Sequence, residues 1–328
     1  MQVTDLMGFG EAMLRLSPAG SYSIEQAQQL HMYPAGSELN VCAAAARLGL
    51  RTSFISRLGD SPMGRFVANK AREQGVDTSH IQFGPERQGI YFFENANPPR
   101  PGMAYYDRQD TGMAQVTPEH FAWEELLAGT KLFLTSGITA ALSKSACATV
   151  TTALKTASLW GQAQTVFDVN YRSKLWTTYE ARRALEPLLE FVDVLLLSGG
   201  DAADVFGLSL DLEDDLPKEM ARRYGVATVC VIYRPKGGKM HWKVGCYSQG
   251  QSYYVQQDGP LQTVDRLGAG DSFAAGFLTG FLEQGPALGT QMGCATMALK
   301  NTFHGDLNWA TREQVERVMS GNRSTLER

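Results

Sequence analysis

The chain has 328 residues, 44% of them hydrophobic, enough for a large core in one domain or one domain with an elaboration. Thirty Lys and Arg stand against 34 Asp and Glu, for a net charge of −4. That mixed, slightly acidic balance carries no basic stripe and argues against nucleic-acid binding. Five cysteines, Cys42, Cys147, Cys230, Cys246 and Cys294, form no CxxC pair, and the five histidines show no ligand spacing. Buried free thiols in a reducing compartment are therefore expected, with neither disulfides nor structural zinc. No apolar run approaches the roughly 20 residues that span a bilayer, and no signal peptide is evident. The expectation is a cytoplasmic protein without membrane contact.

In chain order, SELNVCAAAARLG (37–49) reads as a helix capped by Ser37, with Gly49 just past its end. TSFISRLG (52–59) is a strand, and DSPMGRFVANKAREQG (60–75) carries the cap, proline and terminal glycine of a helix. KLFLTSG (131–137) is a strand and SKSACATVTTALKTASLWG (143–161) a helix. TVFDVN (165–170), DVLLLS (193–198) and ATVCVIY (227–233) are further strands, and 239–255 reads as a late hairpin. Continuously apolar strands alternating with helices predict a mostly parallel sheet covered on both faces, a three-layer α/β/α domain. Two stretches, about 11–34 and 88–112, break the cycle with short alternating segments such as QGIYFFEN and GMAYYDR. They are expected to pair into a small β-sheet lid over the carboxyl ends of the main strands, where ligand clefts of α/β proteins lie. Two ordinary surface hairpins are the alternative.

The segment TVDRLGAGDSFAAGF (263–277) concentrates the chemistry. Gly268 and Gly270 permit a tight turn whose amides point inward, and an apolar helix starts there. Unpaired amides and a positive dipole at such a helix start favour an anion. Asp271 would stand beside a transferring phosphoryl group, held ionised with a lowered pKa by the helix end. From these residues alone, Asp271 could equally be a helix cap. No Walker motif G-x-x-x-x-G-K-[ST] occurs, which excludes a P-loop kinase.

AGSELNVCAAAARLGL (35–50) and DRLGAGDSFAAGF (265–277), in that order and separation, resemble the two signatures of the PfkB (ribokinase-like) family of carbohydrate kinases. The resemblance covers essentially the whole chain and implies one ribokinase-like domain over 1–328 with the lid segments inserted. It implies Asp271 as catalytic base and Gly268, Ala269 and Gly270 as the anion hole for the γ-phosphate of ATP. Gly36 and Asn40 fall at substrate-facing positions. The purine would lie between the segment Arg234–Gly238, the turn before Gly268 and the late helix 291–301, with Ser198 also at the nucleotide, and Mg2+ would bridge ATP phosphates mainly through water. No protein metal ligands are assigned.

Within the family the chain is most similar to enzymes acting on 2-keto-3-deoxygluconate, which implies phosphorylation of a sugar acid. Tyr91, Tyr106, Arg108, Arg172 and Asp306 occupy the positions that hold such substrates. The residue types fit, because guanidinium is a good planar partner for a carboxylate and tyrosine suits sugar-like ligands. Arg172 could instead pair with Asp168 or a surface carboxylate, Asp306 could cap a loop, one of Tyr105 and Tyr106 is expected to pack, and Lys174 and Trp176 are expected to be packing and surface residues.

Three positions depart from the family pattern: Arg266 for threonine, Ser198-Gly199-Gly200-Asp201 for Asn-x-x-Glu, and Pro235 for glycine. A fructokinase or other sugar kinase of this fold is the alternative activity, and a non-catalytic sugar-acid-binding protein the alternative of another class. Sheet edges and faces left open by the lid predict a homo-oligomer, a dimer or higher.

Overall fold

The computed structural model describes residues 3–160, 163–209, 215–233, 242–257 and 263–321. The strands are β1 (Thr4–Phe9), β2 (Met13–Pro18), β3 (Leu30–Ala35), β4 (Thr52–Gly59), β5 (Ile81–Gly84), β6 (Ile90–Glu94) and β7 (Met103–Asp107), then β8 (Thr130–Ser136), β9 (Gln164–Asp168), β10 (Val194–Ser198), β11 (Thr228–Tyr233), β12 (Trp242–Ser248) and β13 (Gln251–Gln257). The helices are α1 (Ser37–Arg47), α2 (Pro62–Glu73), α3 (Trp123–Leu127), α4 (Gly137–Ala141), α5 (Lys144–Trp160), α6 (Thr178–Leu185), α7 (Gly199–Asp204), α8 (Leu216–Tyr224), α9 (Ala269–Gln284), α10 (Pro286–Lys300) and α11 (Arg312–Met319). The strands and helices read from the sequence lie where they were expected, within a few residues at their ends.

Nine strands form the main sheet in the order β13-β12-β11-β10-β9-β8-β1-β4-β5. Strands β11 through β5 run parallel, and the β12–β13 hairpin closes one edge in antiparallel fashion. The continuously apolar strands follow from burial on both sides. Phe133, Phe167, Leu195 and Val229 pack with α5, α6 and α8 on one face, whereas Leu132, Leu134, Val166, Leu196 and Cys230 join α1, α2 and α9 on the other. With a period of two, each strand must therefore be apolar at every position. None of the five cysteines forms a disulfide; four are buried and Cys147 is half-buried. Among the described residues no helix is long and apolar enough to cross a membrane.

The two irregular stretches pair as a four-stranded sheet, β3-β2-β6-β7. Its ladder is antiparallel except between β2 of the first stretch and β6 of the second, which run parallel. One face carries Arg15, Tyr33, Tyr91 and Tyr106 in register, and the opposite face carries Leu16, Met32, Phe92 and Tyr105.

Helix α9 is buried along most of its length and packs on α10 through glycines. A Cβ at Gly276 would lie 2.5 Å from the Thr296 hydroxyl and 2.6 Å from the Met292 carbonyl, and one at Gly280 would lie 2.8 Å from backbone of α10. The close pairing fixes the axis of α9 and so the position of its first turn. Alanine at Gly276 improves helix propensity by about 1 kcal/mol, but overpacking costs about 1–3 kcal/mol. Gly276→Ala is expected to lower the unfolding midpoint in a thermal melt, and an unchanged or raised midpoint would show that α9 and α10 are not pinned here.

Candidate active site

The site lies at the carboxyl ends of β1, β8, β9 and β10, under the inner face of the small sheet. Gly268 sits in the left-handed region (φ 78°) and caps α9. Its backbone is pressed on the Asp306 carbonyl, 2.1 Å from where a Cβ would stand, so only glycine fits on both counts. The Ala269 amide leans back to the Arg266 carbonyl at 3.3 Å. The amides of Gly270 and Asp271 belong to the first helical turn and have no intrahelical acceptor. Gly270 is exposed and Asp271 half-buried.

Asp271 is held by helix α1. Ser37 donates its hydroxyl to Oδ1 at 2.8 Å, and the Asn40 amide donates to Oδ2 at 2.7 Å. Ser37 is the first helical residue and Gly36 the cap, so the serine reaches across to Asp271 and does not cap its own helix as expected. Gly36 is required by proximity, since a Cβ there would meet the Glu11 carbonyl at 2.4 Å. Asn170, at φ 40°, extends the chain by donating to Ser37 Oγ at 2.9 Å and to Asp168 Oδ2 at 3.3 Å.

Burial raises the Asp271 carboxyl above its ordinary value; the bonds from Asn40 and Ser37 and the charge of Arg172 oppose this without cancelling it. The sequence-based expectation of a lowered pKa is corrected, because desolvation of the site outweighs the helix end. Asp168 is raised much further, by burial and then by Asp271 and Asp201. Glu38, in the first turn of α1 and pressed against Gly10, accepts from Ser136 and Thr139, and burial pushes it up to about 7.

A second cluster stands behind the turn. Arg15 of β2, 1% exposed, bridges Asp265 and Asp306, each at 2.7 Å, and donates Nε to Ser17 at 2.8 Å. Its guanidinium lies over the rings of Phe93 and Tyr33. Burial disfavours its charge, but the two carboxylates outweigh that and raise its pKa. The Tyr91 hydroxyl donates to the other Asp306 oxygen at 2.7 Å. Lys300, fully buried, donates to the carbonyls of Asp265 and Phe303, each at 3.2 Å.

The sequence-derived site residues fall into three groups. Asp271, Gly268, Ala269, Gly270, Gly36 and Asn40 converge on one point. Tyr91 and Asp306 form a hydrogen-bonded pair, with Tyr106 stacked on Tyr91 at 5.4 Å between ring centroids. Arg108 lies over Tyr106 and pairs with the buried Glu11, which also accepts from Thr111. Arg172 is exposed beyond β9, with no ion pair among the described residues, so pairing with Asp168 does not occur, although its charge acts on Asp168 and Asp271. Lys174, expected at the surface, does lie exposed, but it reaches the Ala104 carbonyl of β7 at 2.6 Å. Tyr105 and Tyr106 are both exposed, at 50% and 43%, on opposite faces of β7, so the expectation that one of the pair packs away is not met. Ser198 caps α7 in a reciprocal pair with Asp201. Arg266 is exposed. Arg234, Pro235 and Gly238 lie outside the described residues.

Sequence reasoning missed Glu11, Arg15, Ser37 as a partner of Asp271, Glu38 and Lys300. Arg15 alone carried a signal: a charge in the apolar strand MLRLSP.

This fold, with an acid beside free helix-start amides, is that of a carbohydrate kinase. Residues 3–308 match the pfkB family of carbohydrate kinases, and the chain belongs to that family. It is similar to 2-dehydro-3-deoxygalactonokinase of Haloferax volcanii, 38% identical over 99% of both chains. It is 30% identical to 2-dehydro-3-deoxygluconokinase of Thermoproteus tenax, over 92% of this chain and 89% of that one. The solved structure of 2-dehydro-3-deoxygluconokinase from Thermotoga maritima superimposes with a TM-score of 0.91 at 34% identity, covering 97% of this chain and 100% of that one.

Asn40 and Ser37 favour the ionised form of Asp271, so removing either bond raises its pKa further. Asn40→Ala is expected to move the acid limb of the kcat/KM profile to higher pH and to lower kcat about 10-fold. An acid limb at the same pH in the variant would show that these bonds do not tune Asp271.

Proposed function

We propose that the protein transfers the γ-phosphoryl group of ATP to a 2-keto-3-deoxy sugar acid, 2-keto-3-deoxygluconate making the 6-phosphate. The observation that carries this reading is the place of Asp271 in the first turn of α9, beside that turn's amides and held at 2.7–2.8 Å by Ser37 and Asn40. The two relatives and the solved structure, named for keto-deoxy sugar acids, support the substrate class.

In this reading Asp271 accepts a hydrogen bond from the sugar hydroxyl, aims it at the γ-phosphorus and takes its proton late. A loose phosphoryl-transfer transition state needs orientation more than a strong base. A carboxyl raised above its ordinary value is also closer to the working pH of a general base. In the 268–270 turn and the helix start behind it, the amides of Gly270 and Asp271, which have no intrahelical acceptor, would stabilise charge on the migrating phosphoryl oxygens without reorganising. Arg172 and Arg108 supply the cations for the substrate carboxylate, with Arg108 exchanging Glu11 for it. Tyr106, the Tyr91–Asp306 pair and the backbone at Gly36 form the remaining walls, and the small sheet acts as a lid. Ser198 and the 234–238 segment are assigned to the nucleotide side.

Mg2+ fits this site as a hydrated ion carried by the nucleotide phosphates. Asp168, raised by burial first and then by its acidic neighbours Asp271 and Asp201, lies where a divalent cation would offset negative charge. When bound, the ion would be held through water by Asp168 and Asp201 and would supply charge neutralisation on the phosphates.

The outer face of the lid sheet exposes Met32 (45%), Tyr105 (50%) and Met103 (39%), which favours a homodimer through this face. Free cysteines suit a reducing cytoplasm. Light scattering at twice the chain mass would support the dimer, and a monomer would refute it.

The function is tested by coupled ADP release across 2-keto-3-deoxygluconate, 2-keto-3-deoxygalactonate, fructose and ribose. Turnover is expected on the keto-deoxy acids, with Asp271→Asn lowering kcat at least 100-fold while sugar-acid binding persists in calorimetry. Turnover on fructose alone would overturn the substrate, and binding without turnover in the unaltered protein would make it a binding module.

A further inference from the structure

We infer that Arg15 is a positioning residue that ties the lid to the anion-binding turn, so that the small sheet and the start of α9 move as one unit. Arg15 belongs to β2, the strand at the middle of the small sheet that pairs with both β3 and β6. Its two carboxylate partners lie 250 and 291 residues further along the chain. They flank the turn on both sides. Asp265 opens it, accepting the Leu267 amide on Oδ1 at 3.1 Å and the Gly305 amide on Oδ2 at 3.2 Å. Asp306 closes it, because its carbonyl is the atom on which Gly268 rests. One guanidinium, using both terminal nitrogens, thus sets the spacing between the two sides of the turn and the height of the lid above them.

The chemistry admits no slack. Arg15 and Asp265 side chains are each 1% exposed and Asp306 is 9% exposed, so water does not substitute for a lost bond. The aromatic rings of Tyr33 and Phe93 hold the guanidinium plane from within the lid, and Tyr91 adds a second lid contact to Asp306. Lys300 fixes the Asp265 carbonyl from the side of α10. A planar five-donor fork can span two carboxylates, whereas an ammonium serves as a point charge. Lysine at position 15 therefore keeps the charge and loses the bridge.

The prediction about turnover rests on the kinase reading above, and the prediction about backbone protection does not. Arg15→Met and Arg15→Lys are compared with the unaltered protein by thermal unfolding, by kcat and KM for sugar and ATP, and by amide hydrogen exchange of 88–107 and 264–272. Arg15→Met is expected to lower kcat at saturating substrates at least 30-fold, with KM for ATP changed less than threefold and Arg15→Lys intermediate. Exchange is expected to quicken in both segments together. A variant that is merely less stable, with kcat held and the turn as protected as before, would overturn the inference, as would faster exchange in the lid alone. Should Arg15→Met fail to fold, Arg15→Lys decides the matter by the same two measurements. Should the unaltered protein turn over some other sugar, kcat is compared on that sugar; should it turn over none, exchange decides alone.

Discussion

A helix that begins inside a protein leaves amide hydrogens that none of its own carbonyls can accept. Helix α9 begins this way at Gly268, and the arrangement around it follows from that requirement. Gly268 takes the left-handed conformation that turns the chain into the helix, and Asp271 follows within the first turn. The helix behind it is buried and locked to α10 by glycine contacts, so the position of the free amides is set by the core. Asp271 is fixed in turn by two residues of α1, whose own start is pressed against Glu11.

The charge arrangement is built in two shells. Around Asp271 lie acids with little compensation: Asp168 and Glu38 are both raised by burial, and Arg172 is the cation that acts on Asp168 and Asp271. Burial raises Asp271 as well, against the bonds from Asn40 and Ser37. Behind the turn, by contrast, Arg15 and Lys300 meet Asp265 and Asp306 in full burial. Breaking one partner of a buried pair costs about 3–5 kcal/mol, since the remaining charge is stranded. The rear cluster is thus rigid, while the front cluster is left to be completed by ligands.

Much of this was legible in the sequence for physical reasons. Period-two burial on both faces made the parallel strands continuous apolar runs, and Ser61, Pro62 and Gly75 bounded α2 unambiguously. GAGD displayed the turn, the helix start and the acid within four residues. The pairing of 11–34 with 88–112 was readable because those segments alternate and lack helix signals. What was not readable depends on distance along the chain. Arg15 in MLRLSP gives no hint of carboxylates 250 and 291 residues away, and Ser37 resembles a cap until Asp271 is seen beside it. The direction of the Asp271 shift also failed, because a helix start is local whereas desolvation is a property of the assembled site. The Arg108–Glu11 pair and the reach of Lys174 to β7 likewise need the lid in place.

The central claim is that the amides opening α9 receive the migrating phosphoryl group while Asp271 aims the acceptor hydroxyl. It is tested most directly by a crystal structure with ADP, aluminium fluoride and the sugar acid bound together. The account predicts fluoride atoms within about 3 Å of the Gly270 and Asp271 amides and the acceptor hydroxyl on an Asp271 oxygen. A fluoroaluminate held elsewhere, or an Asp271 carboxylate turned away from the hydroxyl, would contradict it.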